Sequence, residues 1–193
     1  AEEGKFLGSV VISDLIKEDA GESLIALKNL GVEKLVMLTG DIKEVADVVA
    51  NQLGVDYAYS ELLPQDKVDK VEEVLDENKV LAFVGDGLND APVLARADIG
   101  IAMGGIGSDA AIEAADVVIM DDKLYNIVRG IKLAKRTMSI AKQNIIFALG
   151  VKLIFLLLAA IGFGTMWEAV FADVGVTVLC IINAMRNLQT KNI

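Results

Sequence analysis

The sequence has no histidine, one cysteine (Cys180), two prolines and few aromatics, which make up 5% of its 193 residues. A single cysteine excludes a disulfide framework within the chain, and without histidine there is no Cys/His zinc-binding cluster. Scarce aromatics beside a hydrophobic share of 54% and a mean hydropathy of +0.51 make the apolar excess aliphatic. Positive charge is short as well. The net charge of -10 argues against a nucleic-acid partner, which requires a basic face. There is neither an initiator methionine nor an apolar leader at Ala1, and Val10-Val11-Ile12 follows almost at once, as expected of a piece of a longer polypeptide.

What is present is unevenly spread. Of the 28 acidic residues, 26 precede residue 125, against 10 of the 18 basic ones, while long apolar runs dominate after Phe147. An acidic soluble part followed by a basic segment and an apolar hairpin is the pattern of a cytosolic domain abutting a membrane. The expected divisions are 1–124, 125–144 and 145–193.

The first part alternates short aliphatic runs with helical patterns. Strands are expected at Gly8–Ser13, Lys34–Leu38, Val80–Gly85, Ile99–Met103 and Val117–Met120, with a weaker one at Tyr57–Tyr59. They are apolar throughout rather than alternating, as strands covered on both faces are. Helices are expected at Ala20–Leu30, Lys43–Leu53, Pro64–Glu77, Asp90–Arg96 and Ser108–Ala115, with Gly31 and Gly54 at helix ends and Pro64 at a first helical position. Such alternation predicts right-handed crossovers and an α/β, Rossmann-like parallel sheet.

Function in such a sheet gathers at the carboxyl ends of its strands. There the sequence places Thr39-Gly40-Asp41 and Gly85-Asp86-Gly87-Leu88-Asn89-Asp90, with Lys67 near the start of a helix. Phosphoryl transfer requires a donor for a non-bridging oxygen, a cation, and carboxylates for Mg²⁺. Thr39, Lys67, Asp86 and Asp90 supply these kinds of group. Each has a plainer reading: Asp41 and Asp90 as helix caps, Lys67 as a solvated charge, Thr39 as a loop hydroxyl. Their joint occurrence in this order favours the site.

After the sheet, Leu124 to Gln143 reads as a basic amphipathic stalk carrying Arg129, Lys132, Lys135, Arg136 and Lys142. The apolar stretch Ile145–Phe163 is long enough to cross a hydrocarbon core of roughly 30 Å. A short turn near Gly164–Glu168 and a second stretch, Ala169–Met185, complete a transmembrane α-helical hairpin, with Trp167 at an interface. Lys142 and Arg186 bracket it, which predicts cytoplasmic ends. Lys152 and Asp173 are ionisable residues at membrane depth, where a charge is costly and normally paired, so they are expected to face each other. Snorkelling of Lys152 and wetting of Asp173 from the outer side are the alternatives. Cys180, seven residues beyond Asp173, reads first as an apolar membrane cysteine and second as a soft ligand. Glu168 is a weaker candidate for the exit path.

The TGD at Thr39–Asp41, the PQDK at Pro64–Lys67, the GDGLNDAP at Gly85–Pro92 and the longer run from Ala97 to Met120 resemble the phosphorylation domain of P-type ATPases, a branch of the haloacid dehalogenase superfamily. The resemblance implies Mg²⁺ held by Asp86, with Asn89 and Asp90 shaping its surroundings. It implies Thr39 and Lys67 contacting an aspartyl-phosphate and Asp41 acting around dephosphorylation. Asp14 and Lys17 resemble the segment where the chain re-enters this domain. One departure matters: the DKTGT segment that carries the family's nucleophile does not occur in this sequence. Covalent catalysis cannot run without its nucleophile, so an incomplete haloacid dehalogenase-like sheet, inactive by itself, is expected, with ATP bound mainly by the remainder of the same pump polypeptide.

The segments Ala148–Lys152 and Ala172–Arg186 are similar to the last two membrane helices of heavy-metal pumps of the zinc, cadmium and lead branch. That resemblance implies Asp173 as a ligand of the transported Zn²⁺, Cd²⁺ or Pb²⁺ and Lys152 as a built-in counter-ion. The Tyr-Asn and Met with paired Ser of copper pumps do not occur, and a carboxylate suits a divalent borderline metal better than monovalent copper. Membrane lipid is then a partner, and the expected location is the plasma (inner) membrane with the α/β domain inside. A membrane-tethered phosphatase of the same superfamily and a copper pump are the alternative readings.

Overall fold

The computed structural model describes residues 15–75, 79–85, 88–104, 109–163, 167 and 170–188. The expected strand at Gly8–Ser13 and Asp14 lie outside the described residues, as do Asp86, Gly87, Ser108 and Glu168. The chain divides into two compact units, Ala1–Tyr125 and Asn126–Ile193.

In the first unit the order is α1 (Ala20–Asn29), β1 (Val36–Leu38), α2 (Lys43–Leu53), β2 (Tyr57–Tyr59), α3 (Pro64–Val74), β3 (Ala82–Gly85), a 3₁₀ turn (Leu88–Asp90), α4 (Ala91–Arg96), β4 (Ile99–Met103), α5 (Asp109–Ala114) and β5 (Val117–Ile119). Every described strand pair is parallel. Val36 lies opposite Tyr57, Ala82 opposite Ile99 and Ile101 opposite Val117. The ladder comes in two pieces, β1-β2 and β3-β4-β5, and no described strand joins β1 to β3.

Two expected strands start late for a reason visible in their hydrogen bonds. The Leu35 N–H donates to the Asp56 carboxylate at 2.7 Å and the Leu81 N–H to that of Asp98 at 2.8 Å. The Gly100 N–H likewise donates to Asp116 at 2.8 Å. Each acid stands just before a strand and caps the entry of its neighbour, so a side chain replaces the first rung of the ladder. Asp56 also accepts from Lys28 Nζ at 2.6 Å. The Lys28 bond first, and the Leu35 N–H second, hold its carboxyl below the usual range.

The core of the three-stranded piece is Leu94, Ala102 and Ala111, with Phe83 and Val118 packed on it. Gly100 lets α4 lie directly on β4, because a Cβ there would stand 2.5 Å from the Leu94 carbonyl oxygen. Arg96 of α4 reaches Glu72 of α3. Pro64 begins α3 as expected, and Asp66 accepts from the Leu63 N–H at 2.8 Å, satisfying one free donor at the helix start.

In the second unit the expected stalk and first span form one continuous helix, α6 (Tyr125–Ala160), of 36 residues. At 1.5 Å per residue it is about 54 Å long. Gly162, at φ +85°, closes it: the Phe163 N–H returns to Leu158 and the Gly162 N–H to Ala159, a Schellman end. Among the described residues α6 is the one helix long and apolar enough to cross a membrane, with a mean hydropathy of 2.0 over its best window. Its apolar side chains, Ile146, Leu149, Ile154 and Leu156 among them, are exposed. The returning arm of the hairpin holds a π-helical turn (Phe171–Gly175), α7 (Val176–Ala184) and a 3₁₀ turn (Met185–Leu188).

Candidate functional site

β1 ends at Leu38, and the next three residues form a closed hydrogen-bonded turn. Thr39 Oγ1 donates to Asp41 Oδ2 at 2.7 Å and accepts from the Asp41 N–H at 3.1 Å. The Asp41 side chain is therefore occupied with Thr39 and does not cap α2, whose N-cap position is Ile42. The Thr39 N–H donates to Tyr59 O, and Thr39 O accepts from the Leu62 N–H at 3.1 Å. That second bond ties the end of β1 to the segment that starts α3, and so to Lys67. Glu61, between them, has φ +57°, a left-handed conformation held by its N–H bond of 2.8 Å to Asp41 O. Nothing in the sequence marks Glu61 for this.

Lys67 meets Asp90 in a half-buried ion pair, Nζ to Oδ1 at 2.9 Å. Asp90 is 9% exposed and occupies the N-cap position of α4 without a side-chain capping bond, so its carboxylate is turned to Lys67 instead. Gly85, at the end of β3, makes room for it: a Cβ at Gly85 would stand 2.9 Å from Asp90 Cβ and 3.0 Å from Oδ2. Asn89, in the 3₁₀ turn, is exposed. Among the described residues no hydrogen bond joins the Thr39–Asp41 pair to the Lys67–Asp90 pair. Lys17 pairs with Asp122.

In the second unit Lys152 Nζ and Asp173 Oδ1 lie 3.0 Å apart, the contact expected from the hairpin. Asp173 sits within the π-helical turn, which the sequence did not announce. Gly175 leaves room for the Phe171 ring, which a Cβ there would meet at 2.8 Å, and Phe171 stacks edge-on against Phe155 at 6.5 Å. Such single-turn π segments are frequent at functional sites. The Cys180 thiol points elsewhere, 3.8 Å from the Asn144 carbonyl oxygen. Asn144 donates to Cys180 O at 3.0 Å, and Asn183 donates to Asn144 Oδ1 at 2.8 Å. Sequence reasoning passed over both asparagines, although an amide inside an apolar stretch is a signal that it needs a partner. Among the described residues no three Cys, Asp or Glu side chains gather closely enough to share a metal ion.

Residues 1–98 match the hydrolase family described as haloacid dehalogenase-like hydrolase. The chain belongs to that family. Within it, this haloacid dehalogenase-like chain is 56% identical over 191 residues to the cadmium, zinc and cobalt-transporting ATPase of Bacillus subtilis, covering 97% of the chain and 27% of that protein. It is also 56% identical over 188 residues to the zinc-transporting ATPase of Synechocystis, covering 96% of the chain and 26% of that protein. The crystal structure of a zinc-transporting PIB-type ATPase in an E2.Pi state superposes on 91% of the chain and 28% of that structure, with a TM-score of 0.84 at 44% identity. The chain thus spans about a quarter of the length of the relatives it matches. The resemblance carried by GDGLNDAP, TGD and the hairpin agrees with these relatives, and the parallel α/β fold with this family.

Proposed function

We propose that this chain is part of an ATP-driven pump that exports a divalent heavy-metal ion, of the zinc, cadmium and lead class, through an aspartyl-phosphate intermediate. The observation that carries it is the Lys152–Asp173 pair at 3.0 Å beside an apolar, membrane-length helix. A charge at the bilayer centre costs about 2.5–3.5 kcal/mol even on the mildest scale. Side chains left 56% and 74% exposed in this hairpin therefore need cover from protein, which the other membrane helices of a pump would supply. The zinc and cadmium transport named for the relatives supports the same ion class.

In this reading Asp173 ligates the dehydrated ion when the site faces inward, and Lys152 takes its carboxylate back on release. In the α/β unit the Thr39 hydroxyl serves a phosphoryl oxygen, Lys67 supplies positive charge, and Asp41 acts around dephosphorylation. The residues are of a kind that fits a bound Mg²⁺: Asp90 Oδ2 is a hard oxygen, and the missing Cβ at Gly85 leaves it room, since a Cβ there would stand 3.0 Å from it. Asp86 with Asp90 and Asn89 would hold or orient the ion, which when bound neutralises charge on the transferred phosphoryl group. ATP itself is bound mainly by the rest of the polypeptide, which also carries the nucleophile. The hairpin has its basic ends, Lys142 and Arg186, on the cytoplasmic side, and lipid covers its apolar flanks.

The test is made in the full-length polypeptide. Asp173→Asn lowers zinc-stimulated ATP hydrolysis at least tenfold, and Lys152→Ala slows turnover while leaving zinc binding measurable. Hydrolysis that ignores Asp173→Asn, or that responds to monovalent copper instead of zinc or cadmium, would overturn the proposal.

A further inference from the structure

The two helical arms of the hairpin touch through polar groups at three levels. Asn187 donates to Thr137 Oγ1 at 3.2 Å, Asn183 and the Cys180 carbonyl engage Asn144, and Lys152 meets Asp173. On α6 these levels lie at 137, 144 and 152, steps of seven and eight residues, so each is about two turns from the next on one face. Neither Asn144 nor Asn183 has a part in the transport chemistry proposed above.

The middle level is a directed chain. Arg186 Nη1 donates to Asn183 Oδ1 at 3.1 Å, Asn183 Nδ2 donates to Asn144 Oδ1 at 2.8 Å, and Asn144 Nδ2 donates to Cys180 O at 3.0 Å. The guanidinium occupies the Asn183 oxygen, which turns the Asn183 NH₂ toward Asn144. The Asn144 oxygen is then taken, which turns its own NH₂ toward the Cys180 carbonyl. Aliphatic contacts between helices tolerate sliding. An amide chain fixed at both ends does not, because a slip of one residue moves its partners by about 1.5 Å axially and 100° around the helix. Two turns away, the same slip would separate Lys152 from Asp173.

On these grounds we infer that Asn144 and Asn183 are positioning residues of the transport site: their hydrogen bonds across the hairpin hold the register in which Lys152 meets Asp173. The inference rests on the pump reading. Neither asparagine touches the ion; both act through the register.

The experiment measures zinc-stimulated ATP hydrolysis by the full-length polypeptide in lipid vesicles. Asn144→Leu and Asn183→Leu each raise the half-saturating zinc concentration about fivefold or more and slow turnover at saturation no further than Lys152→Ala does. The double variant is no worse than the poorer single one, because both break one chain. If Asn144→Leu does not reach the membrane, Asn144→Ser, which shortens the reach but keeps a donor and an acceptor, raises half-saturation about two- to threefold. Half-saturation unchanged in the folded variants, effects that multiply in the double variant, or a loss of turnover alone would overturn the inference and leave the pump reading standing. No stimulation of the wild type by zinc, cadmium or lead would overturn both.

Discussion

At the scale of single residues, the Lys152–Asp173 pairing was legible in the sequence and the pairings within the α/β unit were not. The octapeptide names Asp90, but nothing in the string says that its carboxylate leaves the cap of α4 to meet Lys67 at 2.9 Å. That choice follows from Lys67 arriving half-buried on α3, where an ammonium needs a partner more than a helix N-terminus does. Asp41 is the parallel case: its plain reading as a cap gives way to the Thr39 hydroxyl, two residues back and already within reach. Gly85 makes the arrangement testable. Gly85→Ala sets a methyl group against Asp90 and Phe83 and costs about 1–3 kcal/mol through overpacking. In the full-length polypeptide it lowers the melting temperature and weakens the stabilisation gained on adding Mg²⁺. An unchanged Mg²⁺-dependent shift would show that Asp90 tolerates displacement.

At the scale of elements, aliphatic runs and helix-length patterns located each described strand and helix of the α/β unit, including the short β2. Boundaries slipped where side chains took over backbone bonds, as Asp56 and Asp98 do at the starts of β1 and β3. Periodicity cannot see such caps because they join residues far apart in the sequence. The stalk and the first span were expected as two segments, yet no glycine or proline breaks the turn between them and α6 runs through. The π-helical turn around Asp173 was also invisible, and within it Gly175 lies under the Phe171 ring. Gly175→Ala presses on Phe171, disturbs its edge-on contact with Phe155 and reshapes the turn that aims Asp173. The half-saturating zinc concentration of the full-length polypeptide rises several-fold in this variant. An unaltered value would remove the turn from the account of metal binding.

At the scale of the whole molecule, the described sheet is consistent with the proposal that the chain does not act alone. Its ladder comes in two pieces, β1 and β3 are not joined by any described strand, and the sequence contains no DKTGT nucleophile. Thr39–Asp41 follows the end of β1, and Gly85 ends β3. A strand bearing the nucleophile, contributed by the rest of the polypeptide, would complete both the sheet and the site. An unpaired strand edge is otherwise a template for aggregation. The central claim is that this chain forms the phosphate-handling and ion-binding part of a divalent-metal pump. Its most direct test replaces the matching quarter of the Bacillus subtilis relative with this chain and measures ATP hydrolysis in membranes against added metals. The account predicts hydrolysis that depends on zinc or cadmium and is silenced by Asp173→Asn, with none from the 193-residue chain by itself. Metal-independent hydrolysis by the chimera, or phosphatase turnover by the isolated chain, would contradict it.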